Sequence, residues 1–326
     1  MRTLHLVVAS IALAADANAI RANVVAHMPN PASPAAGIAD PNVLKKARDS
    51  AIRLAQVGPS TASPELYTGN PAEAPFKWMG LLINPMPTAQ NPDAYDYCTG
   101  QFITPKVVLT AGHCLKDLQN HPTGPWYDLT KASFVLQYQN GGGSQTFKIV
   151  CGETDPLWVY PSNYSSMTAD QQLAARFPVW AHDIAMVLVD GTSPTGAMPY
   201  ALDWKGKYNY ASRIGYPENI LGSEIIQVVP GYVFFADAIQ LGVYSPPNVV
   251  VQWGPVTDAT QGMSGGAWVA NLSATEGPNN NVLIAMTSAL PVTDYNAPLF
   301  PGGAFAAYLT AAEFNPLLTS VSNGCK

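Results

Sequence analysis

The sequence predicts an all-β fold, and three observations carry that prediction. From Phe76 onward, short apolar runs are punctuated by Gly, Pro, Asn and Asp, the pattern of strand, turn, strand. Helical and strand patterns do not alternate regularly, which argues against a parallel α/β sheet. The 326 residues include 29 Pro and 26 Gly but only 12% charged residues, and 15 Tyr and 7 Trp suit an aromatic-rich β protein.

The chain opens on a pattern of export. Arg2 supplies a positive start, Leu4 to Ala15 is apolar, and Ala17-Asn18-Ala19 offers small residues for cleavage after Ala19. The apolar run is too short to cross a bilayer comfortably and is followed at once by Asp16. Residues 1–19 are therefore expected to be a signal peptide on a secreted protein, with disulfides permitted.

Residues 20–75 differ from the rest. Met28 to Gly37 is rich in Pro and Ala and reads as a linker. A helix is expected between Asp40, as N-cap, and Gly58, with Pro41 in its first turn and Val43, Leu44, Ala47, Ala51, Leu54 and Ala55 at helical spacing. Lys45, Lys46, Arg48 and Arg53 make it basic. The expectation is a propeptide or N-terminal extension that docks on an acidic domain spanning 76–326.

Within that domain the expected strands are Trp78–Ile83, Val107–Thr110, Ser133–Tyr138, Thr146–Val150, Ile184–Val189, Ile225–Val229, Val249–Trp253 and Val282–Thr287, with a short terminal helix over Thr310–Ser320. The net charge of −6 and pI near 5.3 exclude the basic footprint of a nucleic-acid binder. No segment beyond the N-terminus is apolar enough to suggest a membrane partner. A monomer is expected. Four cysteines, Cys98, Cys114, Cys151 and Cys325, allow three disulfide connectivities, and none is spaced as a zinc pair.

Three stretches carry chemistry. Thr110-Ala-Gly-His-Cys114 follows an apolar strand, His182-Asp183 precedes another, and Gly262-Met-Ser-Gly-Gly266 follows a polar loop. A serine hydroxyl attacks a carbonyl well only when a base takes its proton. An imidazole can do so near neutral pH, and a buried carboxylate fixes its tautomer. The assignment is Ser264 as nucleophile, His113 as general base and acid, and Asp183 as its orienting partner. The backbone N–H groups of Gly262 and Ser264 would form the oxyanion hole. Chain order excludes competitors. Gly262 to Gly266 formally matches the nucleophile elbow of α/β-hydrolases, but those run Ser, acid, His, and every histidine here precedes Ser264. A subtilisin order would place the aspartate before His113 and require an α/β pattern.

These stretches resemble the chymotrypsin/trypsin-like serine peptidases. Cys98 to Ile103 with Val107 to Cys114 looks like the family's catalytic-histidine region, His182 to Leu188 its aspartate segment, and Asp258 to Gly266 its serine loop. Ile214-Gly-Tyr-Pro217 is similar to a segment of bacterial secreted members, and Pro301-Gly302 with the final helix fits the family's end. The resemblance implies two six-stranded antiparallel β-barrels, the first carrying His113 and Asp183 and the second Ser264. It implies a protein or peptide substrate and no cofactor. It also implies a Cys98–Cys114 bond, which leaves Cys151 and Cys325 as the remaining pair. Met263 departs from many animal members, which carry an acidic residue there to pair with a freed N-terminus.

The resemblance further implies a specificity pocket around Asp258, Ser288, Leu290 and Gly302. An acidic residue six positions before the nucleophile suggests cleavage after Arg or Lys. Leu290, where basic-specific members have glycine, would narrow the pocket toward small apolar side chains. Glutamate preference is disfavoured because no histidine follows Ser264. His121 and His182, without a clear third ligand, are a weak metal site and are read as surface or strand-end residues, so no metal is expected. Asn163 and Asn271 match the glycosylation pattern.

Overall fold

The computed structural model describes residues 70–85, 95–118, 124, 126–217, 225–235, 248–253, 263–289 and 304–326. The expected signal peptide, the linker and the basic helix over 40–58 lie outside the described residues.

Twelve strands form two closed antiparallel barrels, in agreement with the predicted all-β class. The first is built from β1 (Met79–Pro85), β2 (Tyr95–Phe102), β3 (Val107–Thr110), β4 (Ser133–Leu136), β5 (Gln145–Thr154) and β6 (Ala185–Val189), in the order β1-β2-β3-β6-β5-β4. The second is built from β7 (Tyr210–Gly215), β8 (Gln227–Phe235), β9 (Val249–Trp253), β10 (Ala267–Ala270), β11 (Val282–Ala289) and β12 (Ala304–Tyr308), in the order β10-β11-β12-β9-β8-β7. Closure pairs every strand on both sides and leaves no open edge.

Each barrel has an aromatic centre. In the first, the Phe102 ring meets Phe134 and Phe147 edge-on, each at 5.3 Å between centroids, a favoured arrangement of ring quadrupoles. In the second, Trp204 packs against Phe235 at 5.2 Å and Tyr308 at 5.4 Å. Trp268 is fully buried, and its indole N–H donates to Thr287 Oγ1 at 3.0 Å, as a buried polar tip must.

Strands β3 and β9 have the expected bounds. β5 and β8 run longer than the sequence pattern suggested, while Trp78 falls in a 3-10 turn just before β1. The pattern missed β2, β7, β10 and β12, and a helix, α1 (Ala169–Trp180). Thr168 caps α1: its hydroxyl accepts from Gln171 N–H at 3.3 Å, and the Gln171 side chain accepts from Thr168 N–H at 2.9 Å, a reciprocal box that satisfies two helix-end donors.

The terminal helix, α2 (Ala311–Ser322), starts one residue later and ends two later than expected. Thr310 caps it by accepting from Glu313 N–H at 3.3 Å. Phe314, Leu317 and Val321 form its buried stripe. Although α2 follows the second barrel in sequence, it packs on β5 and β6 of the first. A Cys151–Cys325 disulfide fastens the chain's end to β5.

Thr99 helps tie the barrels together at their seam. Thr99 of β2 is fully buried. Its N–H donates to the Ser264 carbonyl at 2.7 Å, and its hydroxyl accepts from Tyr216 N–H at 2.9 Å.

Candidate active site

His113 sits in a 3-10 turn, Gly112–Cys114, directly after β3. The Cys98–Cys114 disulfide binds that turn to β2, and Asn84 donates to the Cys114 carbonyl at 2.8 Å. The turn is therefore held covalently from one side and by a buried hydrogen bond from another.

Asp183 lies two residues before β6, which pairs with β3. That pairing brings Asp183 to His113 across a sequence separation of 70. Asp183 Oδ2 is 2.8 Å from His113 Nδ1, and Oδ1 accepts from the His113 backbone N–H at 2.8 Å. The carboxylate is 1% exposed. With a carboxylate facing Nδ1, the proton resides on Nδ1 and Nε2 is left as the acceptor. Burial alone would lower the affinity of His113 for a proton. The charge and hydrogen bond of Asp183, helped by Asp96 and Asp117, outweigh it and hold the imidazole pKa above its ordinary 6.5.

Ser264 lies in the turn before β10. Its carbonyl accepts from Thr99 N–H, as described above. Gly265 donates to the Thr287 carbonyl at 2.7 Å, and Gly266 to the Met263 carbonyl at 2.9 Å. Gly265 has φ +78°, and a Cβ there would lie 2.3 Å from both Thr110 Oγ1 and the Thr99 carbonyl oxygen and 2.9 Å from Ala111 N. Only glycine fits this left-handed, crowded position. The close approach sets the Ser264 turn against residues 110–111, immediately before the His113 turn. Met263 is fully buried, so no charge stands beside the serine at that position.

Ser288, expected along the pocket, is 2% exposed, and its hydroxyl donates to Asp183 Oδ2 at 2.6 Å. The sequence carried no local signal for this bond, which joins the two barrels across 105 residues. Gly262, Asp258, Leu290, Gly302 and His121 lie outside the described residues. Cys98, His113 and Cys114 are close together, but both sulfurs are consumed in the disulfide and offer no thiolate to a metal.

His182, next to Asp183, faces two carboxylates. Its Nδ1 is 3.0 Å from Glu313 Oε1 and 3.7 Å from Asp155 Oδ2. Asp155 and then Glu313 raise its pKa to about 9 against the opposing effect of burial. Neither acid was singled out from the sequence.

No protein-family model and no curated protein matches this chain. Solved structures do. The chain is similar to HL collagenase, with a TM-score of 0.54 at 15% identity over 80% of this chain and 99% of that one. It is similar to a Glu endopeptidase, with a TM-score of 0.51 at 15% identity over 78% and 94%, and to human heparin binding protein, with a TM-score of 0.50 at 16% identity over 79% and 96%. The two barrels, the terminal helix and these likenesses together give the chain the chymotrypsin-like serine-peptidase fold.

Proposed function

We propose that this protein is a secreted serine endopeptidase in which Ser264, His113 and Asp183 act as a catalytic triad. The observation that supports the reading best is the buried Asp183 carboxylate, with one oxygen on His113 Nδ1 and the other on the His113 backbone N–H. Desolvating a carboxylate is costly, and these contacts offset that cost while orienting the ring.

In the proposed reaction His113 Nε2 takes the Ser264 proton as Oγ attacks the peptide carbonyl. The tetrahedral oxyanion is held by the N–H groups of Gly262 and Ser264. Its collapse breaks the C–N bond, and the imidazolium gives its proton to the leaving amine, leaving an acyl-serine. Water deprotonated by His113 then adds to the acyl carbon, and Ser264 leaves with the proton returned. Asp183 orients the ring and stabilises the imidazolium throughout. The substrate is a protein or peptide, and Asp258 directs cleavage after Arg or Lys, with Ser288, Leu290 and Gly302 shaping the pocket.

The same fold in human heparin binding protein keeps a binding protein as the second reading, because fold does not specify activity. A serine-directed covalent inhibitor followed by casein digestion separates the cases. Labelling at Ser264 with digestion is the expected result. An unlabelled Ser264 overturns the enzyme reading, and labelling without proteolysis points to an esterase. Matched Arg, Ala and Glu substrates, with wild type and Asp258→Ser, test the specificity. No preference for Arg, or ratios unchanged by the substitution, removes Asp258 from that role.

A further inference from the structure

Away from the serine turn, three chemistry-bearing side chains from distant parts of the chain converge. Asp155 follows β5, His182 precedes β6, and Glu313 lies in the first turn of α2. One ligand atom from each falls within 4.8 Å of the others.

Each carboxylate is gripped at one oxygen and open at the other. Asp155 Oδ1 accepts from Leu157 N–H at 2.7 Å. Glu313 Oε2 accepts from the Thr310 hydroxyl at 2.9 Å. The remaining oxygens, Asp155 Oδ2 and Glu313 Oε1, turn toward His182 Nδ1. Asp155 is 2% exposed, and its inward Oδ2 is buried without a hydrogen-bond partner. His182 Nδ1 also makes no aligned hydrogen bond. The three atoms lie within 4.8 Å of one another, with the two carboxylates at ion-pair distance from the ring nitrogen.

We propose that Asp155, His182 and Glu313 form a binding site for a divalent transition-metal ion of the zinc type. One imidazole and two carboxylates are a donor set that zinc accepts, at roughly 2.0–2.2 Å per bond. Four-coordinate geometry with such bonds spaces ligand atoms about 3.2–3.6 Å apart, so the observed 3.0 and 3.7 Å need little adjustment. Water supplies the fourth ligand, since His182 and Glu313 are partly exposed. The Leu157 N–H and the Thr310 hydroxyl fix the carboxylates as outer partners commonly do in metal sites. The imidazole distinguishes the site from an all-oxygen calcium cage. A bound ion would clamp α2 to the segment that leads into Asp183.

The test uses the full chain carrying Ser264→Ala, to prevent self-digestion, after chelator treatment. Zinc, and calcium as a control, are titrated calorimetrically into this protein and into the same protein with His182→Gln or Glu313→Gln. The expected result is one zinc equivalent, bound at least tenfold more weakly by either variant, with calcium far weaker than zinc. Zinc should raise the Tm of the parent and leave that of the His182→Gln protein nearly unchanged. The Glu313→Gln protein keeps the test decisive should the His182 variant fold poorly. Absence of zinc binding, binding that neither variant weakens, or a preference for calcium each overturns the assignment. The cluster would then stand as an imidazolium ion-paired to two carboxylates.

Discussion

Ser288, on β11 of the second barrel, donates its hydroxyl hydrogen bond at 2.6 Å to Asp183, which belongs to the first. The orientation of the carboxylate behind His113 thus depends on how the two barrels sit together. Ser288→Ala should lower kcat by about tenfold, in line with roughly 1.5–3 kcal/mol for a hydrogen bond to a charged group, only part of which is felt in the transition state. Steady-state kinetics and circular dichroism check it. Unchanged kcat in a folded variant would show that the bond has no catalytic consequence.

His113 must be neutral at Nε2 to accept a proton, so activity is expected to be lost as pH falls through its pKa. That pKa is raised by Asp183, Asp96 and Asp117 despite burial. The acid limb of kcat/KM should therefore have its midpoint above the ordinary 6.5. Asp96→Asn removes one of the negative charges and should move the limb to lower pH. A midpoint below 6.5 in the wild type, or a shift to higher pH in the variant, contradicts this electrostatic account.

Gly265→Ala places a methyl group against Thr110 Oγ1 and the Thr99 carbonyl at a positive φ. The left-handed conformation alone costs roughly 1–2 kcal/mol for a residue with a Cβ, and the overlap adds to it. The turn bearing Ser264 should shift from the His113 side. The expected outcome is a lower Tm together with at least a tenfold fall in kcat/KM. A variant with wild-type values for both would show that the seam yields easily.

The proposed propeptide boundary near residue 75 falls inside a segment packed on the first barrel. Ala74 and Phe76 are buried, and the Pro71 carbonyl accepts from the Gln137 side chain at 2.6 Å. If the N-terminal segment is removed, cleavage should therefore fall at or before Asn70. N-terminal sequencing of the secreted protein reads this directly. A start at Ile20 would show that the segment is retained, and a start after Phe76 would show that these contacts are dispensable.

The reading of the sequence succeeded where the signal was local. Val107–Thr110 and Val249–Trp253 are short runs rich in β-branched residues, and both are strands with those bounds. Strand β2 escaped because Asp96, Thr99, Gly100 and Gln101 interrupt its pattern, yet Thr99 and Gln101 are buried by their places in the barrel and its seam. Helix α1 carries Pro178 in its last turn, a residue that reads as a helix breaker, although Thr168 and Gln171 give its start signal. His113, Asp183 and Ser264 stood out because each lies in a short motif beside a strand end. Ser288 and Asp155 sit in no motif, and Glu313 belongs only to the start signal of α2, which says nothing of His182. Their partners are chosen by the closure of the barrels and the docking of α2, which no local window contains.

The Cys151–Cys325 bond makes a covalent ring of nearly the whole second half of the chain, passing through both Asp183 and Ser264. A single backbone cut anywhere inside that ring opens it without releasing a piece. Nicked molecules would keep all three chemical groups on one covalent body and migrate as intact protein until reduced. Under self-digestion, the first cleavage in this region is thus a change of connectivity rather than a loss of mass.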